Sequence, residues 1–418
     1  MDDIVFDEQL TKADRLVLKA LAEDLLDQST SEKCTTSSQD EAVIATLSAL
    51  NDPKDAQFEP TVLNGIDYDS IRLPKLLDGW LLRPYIRIAR SVVRYETDVV
   101  MLNHLLLYLA TSVPSAVFLF WRFSWLHGLL HLVMQFTYMG PYTLMMHQHI
   151  HQRGILAKRF RLIDILFPYI TDPLMGHTWN SYFYHHIKHH HVEGNGPDDL
   201  SSTIRYQRDD IFHFLHYFGR FLLLIWLELP RYFARKGRLS LALKAGFWEG
   251  ASYAMMYCLW RVNSRAALCT VLLPFILMRI GLMVGNWGQH AFVDDEEPDS
   301  DYRSSITLID VASNRYCFND GYHTSHHLNP LRHWREHPVA FLKGKETYAS
   351  ENALVFHNID YIMITIRLML KDYETLAKCM VPIGSQKSMT LEERAALLKR
   401  HTRQITEEEI RAKFSKSR

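Results

Sequence analysis

The sequence predicts an all-α integral membrane protein. It has about four transmembrane helices in two hairpins, both termini cytosolic, and a histidine-rich cap on the cytosolic side. Three observations carry this reading. Two long uncharged runs stand back to back in the 418-residue chain, and basic clusters flank them. Four histidine-bearing segments, far apart in sequence, all fall on the side of the membrane to which those clusters assign the polar chain.

The chain opens with an acidic arm, residues 1–60, holding fourteen Asp/Glu against five Lys/Arg within a formal net charge of −1. Met1-Asp2-Asp3 offers no basic n-region before an apolar core, so no signal peptide is expected. The stretch "EQLTKADRLVLKALAEDLLDQ" has helical apolar spacing, and "STSEKCTTSSQD" reads as a linker. Cysteines 34, 258, 269, 317 and 379 form no CxxC pair, which disfavours disulfides and thiolate zinc sites and fits a reducing compartment. A basic juxtamembrane segment, 61–98, follows.

From Val99 to Trp121 there is no formal charge across 23 positions, and a second uncharged run extends from Phe123 up to Arg153. A bilayer core takes about 20 apolar residues per helix, so each run can span, and "WRFS" between them allows only a tight hairpin. A second hairpin is expected at about 241–260 and 266–285, joined by "RVNSR". Glu249 would cost roughly 2.5–3.5 kcal/mol at mid-bilayer, so it is expected to face protein or the interface. "RPYIRIARSVVR", "QRGILAKRFR" and "RYFARKGR" belong on the cytosolic side. A span at 211–229 would put the last of them on the wrong face, so that segment is read as an interfacial helix. Buried core helices of a large soluble protein are the rival reading, disfavoured by adjacent uncharged runs with basic flanks.

On the cytosolic face lie "HQHIH" (147–151), "HHIKHHH" (185–191), "NWGQH" (286–290) and "HTSHH" (323–327). On a helix His147 and His151 share one face while His149 points elsewhere. His323, His326 and His327 share another, and Asn286 lies one turn before His290. Imidazole ligates iron, copper and zinc, and eight or more such groups exceed the capacity of one ion, so two ions are the economical reading. The chain contains no Glu-x-x-His and no HExxH, which excludes the carboxylate di-iron bundle and the zinc metalloprotease patterns.

Taken together, the boxes resemble those of the membrane fatty acid desaturase and hydroxylase superfamily, which includes the integral-membrane alkane hydroxylases. The resemblance covers roughly residues 95–335, so that 99–337 would be the catalytic domain and 338–418 a helical cytosolic flank with a charged tail. It implies two iron ions at the cytosolic surface, with O2 as co-substrate. The first-box ligands would be His147 and His151, the third-box ligands His323, His326 and His327, and His290 an additional ligand. Asn286 matches a position that in some desaturases holds a water on iron. The second box has two registers: His186, His189 and His190 in desaturase spacing, or His186, His190 and His191 in alkane-hydroxylase spacing. "VEGNGPDDLSS" and "HTSHHLNPLRHW" favour the second, although the hydroxylase HYG motif is replaced by "HAF" at 290–292.

Asp198, Asp199 and Asp320 are candidates to orient ligand imidazoles, with turn or surface roles as the alternative. His104, His127 and His131, within the runs, are expected to be structural. The implied reaction is O2-dependent desaturation of a fatty-acyl or similar lipid chain, with hydroxylation as the alternative and a histidine-rich metal transporter a distant third. No HPGG haem loop, CxxC pair or flavin fingerprint is present. A separate electron-donor protein, of cytochrome or ferredoxin type with a reductase, is therefore expected. In a eukaryote the endoplasmic reticulum would be the membrane. The stretch "NALVFHNIDYIMITIRLML" is read as amphipathic and packed on the cytosolic domain, and the last 29 residues as a solvated charged helix or disordered tail.

Overall fold

The computed structural model describes residues 4, 6–7, 10–26, 38–64, 66–309 and 311–414. It is mostly helical, with two small two-stranded sheets among the described residues. Of the expected linker at 29–40, residues 29–37 lie outside the described residues, and Ser38 opens a helix. The chain divides into two interleaved units: 59–192 with 219–282, and 1–58 with 193–218 and 283–418.

In the first unit the helices Val99–Trp121 and Trp125–Gln152 form the expected hairpin. Ser124 caps the second by accepting from the His127 N–H, and Arg153, in left-handed conformation, ends it just after the first histidine box. Polar groups inside the hairpin satisfy one another. Ser112 Oγ donates to Gln135 Oε1 (3.1 Å), Ser115 Oγ meets rings of His127 (2.8 Å) and His131 (2.9 Å), and His104 meets Tyr108 and Asn64. In apolar surroundings an unmade hydrogen bond is expensive, so His127 and His131 read as interhelical polar partners, while His104 is satisfied by its own helix and by Asn64.

The helices Leu239–Val262 and Ser264–Gln289 meet at Asn263, whose side chain accepts from the Ala266 N–H. Glu249 does face protein. It is buried, takes hydrogen bonds from Ser181 (2.6 Å) and Tyr253 (2.5 Å), and pairs with Arg279. The expectation had the acid but not its cation. Breaking such a buried pair by removing one partner typically costs about 3–5 kcal/mol.

Among the described residues three helices are long and apolar enough to cross a membrane: Val99–Trp121, Ile211–Arg235 and Ser264–Gln289. The 28-residue helix Trp125–Gln152 and the 24-residue Leu239–Val262 have the length, but histidines, Gln135, Lys244 and Glu249 dilute their apolar character. The segment read as interfacial is one 25-residue helix with the length and composition of a span. Its Arg220 and Glu228 pair with each other at 3.0 Å, which lowers the cost of both charges in an apolar setting.

In the second unit the acidic arm is packed. Helix Lys12–Leu26 and helix Ser38–Asn51 bury Val17, Leu18, Leu21, Leu47 and Leu50 in a core with Phe341, Leu342 and Val355. Its acids find partners: Lys345 pairs with Asp24 (2.6 Å) and Asp40, and Asp14 accepts from Tyr322 (2.8 Å).

The all-α expectation misses a parallel pair, Ile306–Ile309 with Leu354–His357. The stretch read as amphipathic, within a flank expected to be helical, is therefore this strand followed by helix Tyr361–Met369. All four strand residues are buried, so they show no one-faced pattern. Asn358 turns the chain at positive φ, and Asp360 caps the helix by accepting from the Met363 N–H (2.8 Å). The charged tail forms helices Leu391–His401 and Glu407–Phe414, as the helical alternative expected, but it is not merely solvated. Leu398, Ile405 and Ile410 are buried, and the buried Arg208 guanidinium donates to the carbonyls of His401 (2.8 Å) and Arg403 (2.7 Å).

Candidate metal centre

In the first unit, His147 and His151 lie one helical turn apart with ring centroids 4.6 Å apart. Between them His149 turns away, donating to the Asp164 carbonyl (3.0 Å) and packing on Phe167. The second box lies on a π-helical segment, Phe183–His190, in which the His191 N–H donates to the His186 carbonyl five residues back. That widened turn stacks residues five apart, so His186 and His191 share a face. His147 Nε2 lies 2.8 Å from His186 Nε2, and His191 Nε2 lies 3.0 Å from the same atom. One ring nitrogen from each of His147, His151, His186 and His191 lies within 4.8 Å of the others, a set that can hold a metal ion. Burial, then the neighbouring histidines, pushes the His186 imidazole well below its usual pKa, so it is a neutral donor. His190 stacks on His186 at 5.5 Å. His189 is buried edge-on to Tyr232 (4.4 Å), and His185 packs against His189 and Phe221.

In the second unit, His290, His323 and His327 bring ring nitrogens within the same 4.8 Å limit. His323 Nε2 lies 3.2 Å from His290 Nε2 and 3.1 Å from His327 Nε2. His290 Nδ1 donates to the Ser304 carbonyl at 2.7 Å, which leaves Nε2 of the neutral ring with a lone pair facing its neighbours. On the far side of His327, Asp301 Oδ1 is 3.5 Å from Nδ1, an arrangement that orients an imidazole ligand. His326 stands apart from these three, about equally distant from His323, His327 and His337. Buried imidazole nitrogens facing one another, with one tautomer fixed from behind, make a donor set that a borderline divalent cation fits.

The other candidates have identifiable partners. Asn286 donates to the Ser201 carbonyl (2.8 Å) and Tyr217 hydroxyl (2.7 Å). Asp199 accepts from the backbone and hydroxyl of Ser201, closing a turn, and Asp198 is half-buried. Asp320 accepts from Gln289 (3.3 Å), and burial pushes its carboxyl up to about 7. Asp301 was missed from sequence. It sits in the acidic run "DDEEPDSD", where nothing separates it from solvated neighbours except its place beside His327.

A family model described as fatty acid desaturase matches residues 123–358, more than half of the chain and a segment that holds all ten box histidines. No curated protein and no solved structure matches the chain.

Proposed function

The chain belongs to the fatty acid desaturase family, and on that premise we propose that it is a di-iron membrane oxidase that desaturates a fatty-acyl or similar lipid chain with O2. The observation that carries the reading is the three-histidine group whose His290 tautomer is fixed by Ser304. We assign one iron to His147, His151, His186 and His191, and the other to His290, His323 and His327. His190 and His326 are the remaining candidate ligands. This adopts the His186, His190 and His191 register, leaving His189 as a packing residue against Tyr232.

Bound iron supplies the oxidant for an unactivated C–H bond. The residues hold neutral nitrogens in place: Ser304 behind His290, Asp301 behind His327, and the π turn beneath His186 and His191. Electrons come from a separate donor protein of cytochrome or ferredoxin type with its reductase. The topology is proposed as four spans with both termini cytosolic, in the endoplasmic reticulum if the source is eukaryotic. Hydroxylation is the second reading, favoured by the grouping of His191 with His147, His151 and His186.

Expression in yeast membranes with an added reductase under labelled O2, followed by lipid mass spectrometry, tests the reaction. A product two mass units lighter without label is expected. One labelled oxygen atom in the product assigns hydroxylation instead. Purified in mild detergent, the protein is expected to carry about two irons per chain, since the ligand set exceeds one ion's needs. Zinc in their place, with activity indifferent to iron chelation, overturns the di-iron reading. Asp301→Ala should cost roughly 10–100-fold in iron affinity or activity, the usual effect of removing an orienting partner. Iron titration checks this, and wild-type affinity would remove Asp301 from the site.

A further inference from the structure

The loop after His290 carries five acids between residues 294 and 299, "DDEEPD". Acids on a loop do not make a site, but here a buried imidazole is aimed at them. His401, the last residue of helix Leu391–His401, is 4 % exposed, and neither of its ring nitrogens makes a hydrogen bond. Such groups are rarely left unsatisfied. Its Nε2 stands 3.8 Å from Asp294 Oδ2. That is too long for a hydrogen bond. It is within the spacing of two ligands on one ion, which at bonds of about 2.0–2.2 Å reaches at most ~4.4 Å. Asp294, Asp295 and His401 each place one ligand atom within 4.8 Å of the others. Burial lowers the His401 pKa to about 4, so the ring keeps a lone pair at neutral pH.

The local backbone fixes this geometry. The Val293 N–H donates to the His401 carbonyl (2.9 Å). Asp294 Oδ1 accepts from the N–H groups of Glu296 (2.6 Å) and Glu297 (3.2 Å), which leaves Oδ2 turned to the ring. Lys413 holds the loop by donating to the carbonyls of Asp295 and Glu296. Two other cations face the acids. Arg303 lies 3.8 Å from Asp294 but also pairs with Glu297 and Glu351, and Arg400, 3.3 Å from Asp295, is more than half exposed. Both have somewhere else to go when an ion enters.

We infer that Asp294, Asp295 and His401 form a third metal site, distinct from the histidine boxes, for a divalent ion of the zinc type. One imidazole with two carboxylates suits zinc, whereas calcium asks for six to eight oxygens. Its role is structural: it clasps helix Leu391–His401 to the segment that leaves His290, four residues upstream of Asp294.

The test uses the full-length protein in detergent, equilibrated with a small excess of zinc, desalted and analysed for zinc and iron. Wild type should retain about one zinc per chain more than His401→Ala or Asp295→Asn, with iron unchanged. Added zinc should also raise the melting temperature of wild type but not of the variants. Comparing proteins cancels zinc held elsewhere, and the unchanged iron separates this site from the oxidase reading. If His401→Ala does not fold, Asp295→Asn decides, because its side chain is partly exposed. Equal zinc in wild type and Asp295→Asn, with equal melting shifts, overturns the site.

Discussion

His191→Ala should abolish turnover and lose iron, whereas His189→Ala should keep its iron and much of its activity. The two residues are two positions apart in one histidine run, and a purely α-helical reading would rank them the other way. In an α-helix the neighbours of His186 are three and four residues on, at His189 and His190. The π-helical turn instead places His191 over His186, with ring nitrogens 3.0 Å apart, and leaves His189 against Tyr232. Removing a ligand should exceed the roughly 10–100-fold that the loss of an orienting partner costs. His151→Ala, His290→Ala and His326→Ala should fail in the same way while remaining in the membrane. His149→Ala should retain activity, since its ring serves the Asp164 carbonyl. Iron content with product formation checks the set. A His189→Ala protein as dead and iron-poor as His191→Ala would return the second box to desaturase spacing.

That contrast also marks where the sequence was legible. Box spacing on ordinary helices needed only helical periodicity, so the shared face of His147 and His151, with His149 turned away, could be read directly. The π turn could not, because an i→i+5 bond leaves no trace in the order of residues. The first hairpin was legible from the absence of charge between Val99 and Trp121, and Glu249 facing protein from the cost of a carboxylate in lipid. Arg279 as its partner, thirty residues on, depends on how two helices pack. Asp301 was hidden for the same reason, since its role comes from the fold placing it beside His327. The strand Leu354–His357 was taken into a helical flank because it is buried on both sides and so shows no alternation. The packing of the acidic arm was not legible because Lys345 and Tyr322, the partners of its acids, lie some three hundred residues away.

Gly288→Ala should be a strongly damaging single-methyl change near the site. A Cβ at residue 288 would lie 2.5 Å from the Tyr361 carbonyl oxygen and 3.0 Å from its Cα and carbonyl carbon. These are backbone atoms that cannot rotate aside, so the two helices must separate. Overpacking usually costs about 1–3 kcal/mol, and a clash with backbone belongs at or above the upper end. The position makes the damage functional as well. Gly288 is two residues before His290, and Thr365, on the same helix as Tyr361, donates to the Val284 carbonyl (3.1 Å). Tyr361 in turn donates through its hydroxyl to the Gly321 carbonyl (3.0 Å), two residues before His323. Displacing Tyr361 therefore disturbs both segments that supply the three-histidine group. Gly285→Ala, one turn earlier on the same helix, is the control: its Cβ meets nothing within 4 Å, and alanine favours a helix over glycine by up to about 1 kcal/mol. Thermal unfolding in detergent and iron content should show Gly288→Ala less stable and short of one iron, and Gly285→Ala unchanged or slightly more stable. Equal melting temperatures and iron contents for the two variants would mean that the close approach at Tyr361 does not hold the site together.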